Sequence, residues 1–390
     1  MQKDKRNKRT IEKRQWLYGM LIPLGLLIVF GIGIGCGLAR RDLAQILPAE
    51  ETAAGETVWE TVAESIPEEE EIVYDPPEYD FKTDEITVEL DGLDRECTIA
   101  FVNDLHMITD KEAGDVLEEN LPTVRERYEN LSVTPEGIHG EELWPEIVKF
   151  LNYHDFDAVI FGGDMLDYCS HSNMKALTVG FEKLKYPRER LLYLRSDHDY
   201  GGWYGGSTFT DNDGFAAQAA LWDGDEGEGC IDFGAFRIVG INKSYVNLSD
   251  GKLKFLMQQT GDGVPVILAT HVPFYSETDT SLEELSMAVR NRIYYWNPEN
   301  SGYCPDANTQ QFIDSMYAPA SNVVQIVAAH MHAAWDGVVA NDLREHIFAP
   351  AFQGNIGIIH VVDKSSTSQK NTKGKMTQEG DNQYETKENH

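Results

Sequence analysis

The chain is short of positive charge. Only 33 Lys and Arg stand against 65 Asp and Glu, which leaves a net charge of −32 over 390 residues. Non-specific binding to a phosphate backbone needs a basic face, so nucleic-acid duplex binding is not expected. Cysteine is scarce as well. Five are scattered along the sequence without a C-x-x-C pair, which excludes a zinc ribbon and a dense disulfide framework. No internal repeat is present. Apolar residues, by contrast, are plentiful: 42% of the chain is hydrophobic and 10% aromatic, enough to bury a sizeable core and to exclude a wholly disordered protein.

The charge is unevenly spread. Residues 1–16 carry seven Lys and Arg against two acids, while residues 41–85 carry fifteen acids against two bases. From Leu17 to Ala39 run 23 residues without a single charge. About 20 apolar residues cross a bilayer, and basic residues ahead of such a span stay cytoplasmic. The sequence therefore predicts one N-terminal transmembrane helix in a single-pass cell-membrane protein, with everything after Arg40 extracytoplasmic. The alternative is secretion after cleavage at Gly37-Leu38-Ala39, a small-x-small site, although the run exceeds the ~7–15 residues of a signal core. The resulting organisation is a basic cytoplasmic N-terminus (1–16), an anchor (17–39), an acidic linker (40–80), a folded domain (81–362) and a polar tail expected to be disordered (363–390). By subtraction about −25 falls between linker and tail, a field that suits cations better than anions. An anionic substrate would need metal ions or a local basic pocket.

Within the folded stretch short apolar runs alternate with helix-like segments. Strands are predicted at 97–102, 157–161, 190–194, 231–241, 264–269 and 323–328, as continuous apolar runs of the kind buried on both faces. Helices are predicted at 141–153, 172–185, 252–260, 281–292 and 308–317. This alternation argues for α/β architecture with substantial parallel pairing.

Five of these runs end in Asp or His. CTIAFV leads into Asp104-Leu105-His106, and DAVIF into Asp164-Met165-Leu166-Asp167. RLLYL leads into Asp197-His198-Asp199, VPVILA into Thr270-His271, and VVQIVA into His330-Met331-His332. Ligands of open α/β sheets sit outside the carboxyl ends of strands, so these side chains can converge on one crevice. Imidazole and carboxylate donors without thiolate suit Mn, Fe or Zn. If the segments are extended, residues i and i+2 face the same way, so Asp104/His106 and His330/His332 each present two ligands. Seven or eight donors are too many for one ion and suggest two divalent or trivalent metal ions, which in phosphoryl transfer stabilise both the attacking and the leaving oxygen.

The ordered set D-x-H, G-D-x-x-D, S-D-H-D, a lone His after a strand, and A-H-x-H resembles the calcineurin-like metallophosphoesterases. Purple acid phosphatases and bacterial phosphodiesterases share that pattern. The resemblance runs from Asp104 to His332 and implies two mixed β-sheets packed as a sandwich flanked by helices. It also implies metal-dependent hydrolysis of a phosphate-ester substrate at a dinuclear site. It would give one metal to Asp104, His106 and His332, the second to Asp197, His271 and His330, and make Asp164 the bridge. His198 would stand outside the metal shell as a catalytic proton or hydrogen-bond donor. Asp167 is read as a carboxylate that orients a metal-bound His. Two positions depart from the family pattern: Asp197 replaces a neutral Asn, and Ala329 replaces Gly. The sequence leaves a specific nucleotidase or nucleotide phosphodiesterase, and a non-catalytic binding module on the same scaffold, as alternatives.

Overall fold

The structure is a computed structural model that describes residues 73–109, 116–201, 229–299 and 302–365. The expected anchor over 17–39, the N-terminus before it, most of the linker and the tail after 365 lie outside these residues. Among the described residues no helix is long and apolar enough to cross a membrane. The chain divides into two units, residues 1–70 and 71–390, and everything described belongs to the second.

The first sheet holds β1 (Lys82–Leu90), β2 (Cys97–Val102), β3 (Ala158–Phe161), β4 (Leu191–Tyr193) and the last strand, β11 (Asn355–Asp363). Their order is β1-β11-β2-β3-β4, with β11 antiparallel to β2 and the other neighbours parallel. The second sheet holds β5 (Cys230–Asp232), β6 (Arg237–Ile241), β7 (Val266–Thr270), β8 (Val323–Ala328), β9 (Trp335–Ala340) and β10 (Leu343–Ile347). Here the order is β5-β6-β7-β8-β10-β9, parallel from β6 to β10 and antiparallel at both edges.

The helices are α1 (Leu121–Asn130), α2 (Gly140–Tyr153), α3 (His171–Phe181), the single turn α4 (Asp197–Tyr200), α5 (Asp250–Gln259), α6 (Ser281–Arg290) and α7 (Ala307–Tyr317). Ser170, Ser249 and Asp306 start α3, α5 and α7, each side chain accepting a backbone N–H that the first turn leaves unpaired. In α2 the residues Leu143, Trp144, Ile147, Val148 and Leu151 recur at helical spacing and are buried.

Three apolar layers hold these elements together. Between the sheets, Ile99, Phe101 and Ile160 pack with Ile238, Ile267 and Val327. Outside the first sheet, Trp144 and Ile147 of α2 meet Val102 and Phe161. Outside the second, Leu256, Leu282 and Phe312 from three helices meet Val239, Leu268 and Ile326. The result is two mixed sheets packed face to face and flanked by helices. One predicted strand, 231–241, is instead the hairpin β5–β6, whose turn places Gly234 at φ +80°. Strands β1, β9, β10 and β11 have no counterpart among the predicted strands.

The parallel order puts the loops after β2, β3 and β4 side by side, and those after β7 and β8 beside one another in the second sheet. Backbone hydrogen bonds zip the first two loops: the N–H groups of Asp104, His106 and Met107 donate to the carbonyls of Gly163, Asp164 and Met165 at 2.9, 2.9 and 3.0 Å.

Candidate metal centre

The loop backbone does not stay extended past the strand ends. Asp104, His106, Asp164, His330 and His332 all take positive φ, between 48° and 73°. A left-handed conformation costs a non-glycine residue roughly 1–2 kcal/mol, and such strain clusters at functional sites. The paired residues Asp104/His106 and His330/His332 therefore converge by curling the chain twice, rather than by the alternation of an extended strand. Gly163, at φ +99°, lies so close to the second sheet that a Cβ there would meet His271 Nδ1 at 2.6 Å. Ala329 takes no positive φ, and its methyl is buried in the layer between the sheets, so this position accepts a side chain.

Two clusters of donor atoms result. Asp104, His106, Asp164 and His332 form one, and Asp164, His271 and His330 form the other, with the atoms of each cluster within 4.8 Å of one another. Asp164 belongs to both. Its Oδ2 lies 3.6 Å from His106 Nε2 and 3.3 Å from His271 Nε2, while its Oδ1 accepts the Ser196 hydroxyl. One carboxylate oxygen thus faces both clusters and the other is pinned. Asp197 is in neither cluster; its carboxylate lies 3.0 Å from the same Ser196 hydroxyl. A third grouping joins His106 and His198 to Asp167.

These donors fit cations. Asp104 Oδ2 accepts from Asn103 Nδ2 at 2.7 Å and from the His330 N–H at 3.0 Å, but Oδ1 is buried without a hydrogen-bond partner. That orphaned oxygen lies 3.5 Å from His332 Nε2 and 3.8 Å from His106 Nε2. His271 Nδ1 sits 2.8 Å from the Gly162 carbonyl, which can only accept, so the neutral ring carries its proton there and leaves a lone pair on Nε2. Across from it, at 3.1 Å, lies His330 Nδ1. Nitrogens and carboxylate oxygens facing one another in a largely buried site are the arrangement a metal ion resolves.

The protonation balance points the same way. Burial lowers the His271 pKa, but the Asp164 and Asp104 carboxylates outweigh it and push the imidazole up to about 10. The carboxylates demand positive charge at this spot, from a proton or, once the proton is released, from a metal. Burial lowers His332 to about 4 and drives His330 well below its ordinary value, which keeps both rings neutral, the form that can bind a metal.

The supporting groups came only partly from sequence. Asp167 accepts from His106 Nδ1 at 2.8 Å and is gripped by Arg127 of α1 through two bonds, Nη2 to Oδ1 at 2.6 Å and Nε to Oδ2 at 2.9 Å. Desolvation opposes the charge on Asp167, but Arg127 and His106 hold its carboxyl well below the usual range. His198 Nδ1 lies 2.7 Å from the Asp167 carbonyl. Asp199, which the sequence alone could equally place as an ordinary turn residue, is buried and ties the loops together. It accepts from the N–H groups of Asp164, Leu166 and Ser196 at 2.9, 3.0 and 2.9 Å and from the Tyr193 hydroxyl at 2.8 Å. The Ser196-x-x-Asp199 spacing of a capping box was its only sequence signal. Arg127 carried none, while Tyr303, whose hydroxyl lies 3.0 Å from His330 Nε2, sits in the Tyr- and Trp-rich stretch 293–304, and aromatics on a loop beside a crevice are a signal of ligand contact.

Comparison with known proteins places these loops in a wider pattern. The profile described as calcineurin-like phosphoesterase matches residues 97–334. A dimetal phosphatase from Danio rerio is similar at 10% identity, over 66% of this chain and 88% of its own, with a TM-score of 0.39. A purple acid phosphatase from yellow lupin (Lupinus luteus) seeds is similar at 13% identity, over 69% of this chain and 44% of its own, with a TM-score of 0.36. No curated protein matches the chain.

Proposed function

The chain belongs to the calcineurin-like phosphoesterase family and is a phosphoester hydrolase; from that premise we propose that it works with two metal ions at the clusters around Asp164. Asp104, His106 and His332 would hold one, His271 and His330 the other, with Asp164 shared. The observation that carries the reading is the single Asp164 oxygen facing both His106 and His271 at 3.6 and 3.3 Å. Bound cations would supply charge neutralisation and Lewis acidity to a phosphoryl oxygen. Manganese, iron and zinc all suit an all-nitrogen-and-oxygen donor set.

The protein's own groups do the positioning. Arg127 holds Asp167, Asp167 holds His106 by its Nδ1 proton, and the ring thereby presents Nε2 to the cluster. The Asp167 carbonyl takes the Nδ1 proton of His198, which makes Nε2 the atom that exchanges a proton with substrate. His198 lines the same cavity as His106 and His332, so it can donate to a phosphate oxygen or to the leaving group. By the family resemblance Asp197 would be a further donor to the second metal, although its carboxylate lies outside both clusters and 3.0 Å from the Ser196 hydroxyl.

The protein is further proposed to be anchored in the cell membrane through Leu17–Ala39, with the hydrolase domain over 81–362 extracytoplasmic. The uncharged run and the basic residues ahead of it support this arrangement.

Hydrolysis of bis-p-nitrophenyl phosphate and p-nitrophenyl phosphate tests the reading, with metal-stripped protein and after adding back Mn²⁺, Zn²⁺ or Fe. Release should depend on metal. His198→Ala should cut turnover by about 10²-fold or more while metal content stays unchanged. Loss of metal together with activity in that variant would make His198 a ligand and overturn its assigned role.

A further inference from the structure

The cavity above the metal clusters has a volume of about 470 Å³. At ~30 Å³ per water, that is room for on the order of fifteen heavy atoms, far more than one phosphate. Its floor is the cluster just described. One wall is α1, with Thr123, Glu126 and Arg127; the other is the end of α6 and the turn after it, with Arg290, Arg292 and Tyr294.

The second wall runs against the character of the chain. Tyr294 stacks flat on His330, ring centroids 4.1 Å apart and planes 14° from parallel. The Arg290 and Arg292 guanidiniums lie over the Tyr294 ring, at 5.0 and 4.5 Å. Arg290 also donates to the His330 carbonyl at 2.8 Å, and its Nε is buried without a partner. An aromatic face holds a guanidinium in place without cancelling its charge. Neither arginine forms an ion pair among the described residues, whereas Arg127 across the cavity is engaged by Asp167. Among the described residues that line the cavity, the acidic side chains are Asp164 on the floor and Glu126 on the opposite wall. A protein of net charge −32 thus keeps, beside its reacting centre, two arginines that form no ion pair among the described residues.

We infer that Arg290 and Arg292 bind a second oxyanion of the substrate, so that the preferred substrates are phosphate esters carrying a further phosphate or carboxylate beyond the ester bond. This deepens the proposed function and rests on it, since the metal clusters are taken to receive the reacting phosphate. The planar fork of a guanidinium matches two oxygens of such a group, and two forks on one wall give it a fixed place.

The test is calorimetric binding to the full-length chain loaded with Mn²⁺. The probes are butyl phosphate, butane-1,4-diyl bisphosphate and 4-(phosphonooxy)butanoate, with three- and five-carbon analogues of each. At the best spacer length a doubly anionic ligand should bind about tenfold tighter than the alkyl phosphate, or more. The bisphosphate and carboxylate arms identify the second oxyanion. Arg292 is exposed, so Arg292→Ala is expected to fold, and it should shrink the preference to within about threefold. Arg292→Lys, which keeps the charge but loses the fork, should fall between. Equal binding of singly and doubly anionic ligands at every length, or a preference that survives Arg292→Ala, would overturn the inference and leave the phosphate site standing. If no alkyl phosphate binds to the folded, metal-loaded chain, the underlying reading fails and takes this one with it.

Discussion

His330 is fixed from two directions. Tyr294 covers its face and the Tyr303 hydroxyl meets Nε2 at 3.0 Å, which turns Nδ1 toward His271. Partners of this kind set the tautomer and angle of a metal ligand, and their loss typically lowers metal affinity by about 10–100-fold. Tyr303→Phe keeps the ring and removes only the hydroxyl, so chelator competition should show the second metal binding about tenfold more weakly, with thermal stability little changed. Unaltered affinity would reduce Tyr303 to a packing residue. At this scale the sequence showed the donors and, in Asp167, one group that orients them, but not the rest of what holds them. Asp104, His106, Asp164, His271, His330 and His332 stand out because each follows an apolar run. Tyr303 and Arg127 lie on segments far away in sequence, and only the fold brings them to the ligands they orient. Asp197 shows the converse: its place in the motif suggests a ligand, yet its nearest recorded partner is Ser196 rather than the clustered donors.

Elements were legible where a buried strand is a compact apolar run, whereas β11, buried between β1 and β2 but interrupted by Gly357 and His360, was missed. β2, β3, β7 and β8 are continuous apolar runs and read directly as strands. β1 was hidden because it is an edge strand whose exposed positions carry charge, KTDEITVEL. β9 and β10 were hidden for a related reason, since Asp336, Arg344 and Glu345 interrupt their apolar pattern. Glu345 is the odd member of that set: it is fully buried, and among the described residues its carboxylate accepts only the Phe274 N–H, at 3.1 and 3.3 Å. Desolvation raises its pKa well above the ordinary value despite that bond. In the unfolded chain the group ionises near pH 4.3, so above that pH the folded state binds more protons than the unfolded one. Stability should therefore fall as pH rises from about 5 toward the raised pKa. Glu345→Gln should flatten that slope, gaining on the wild type in urea unfolding at pH 7 and converging with it near pH 4. A parallel loss of stability in both proteins over that range would contradict a desolvated carboxyl in β10.

The chain as a whole is acidic, yet among the described residues one cavity gathers Arg127, Arg290 and Arg292, an arrangement that would disfavour anions generally while admitting those that reach the arginines. Composition showed the first half and could only pose the second as a need. Its uncharged N-terminal run makes a separate prediction. Removing residues 1–40 should shift the hydrolase from the membrane fraction to the soluble fraction while leaving its metal-dependent turnover within about twofold, since all the clustered donors lie far downstream. Soluble fractionation of the full chain would count against an anchor and favour a cleaved leader.

Metal stoichiometry is the most direct measure of the central claim. Full-length protein, stripped and reloaded with Mn²⁺, should retain two ions per chain by elemental analysis. Asp164→Asn, which alters the one carboxylate shared by both clusters, should lower occupancy at both positions together. A folded chain that holds no metal, or an Asp164→Asn variant that keeps both ions, would contradict a dinuclear centre bridged at this residue.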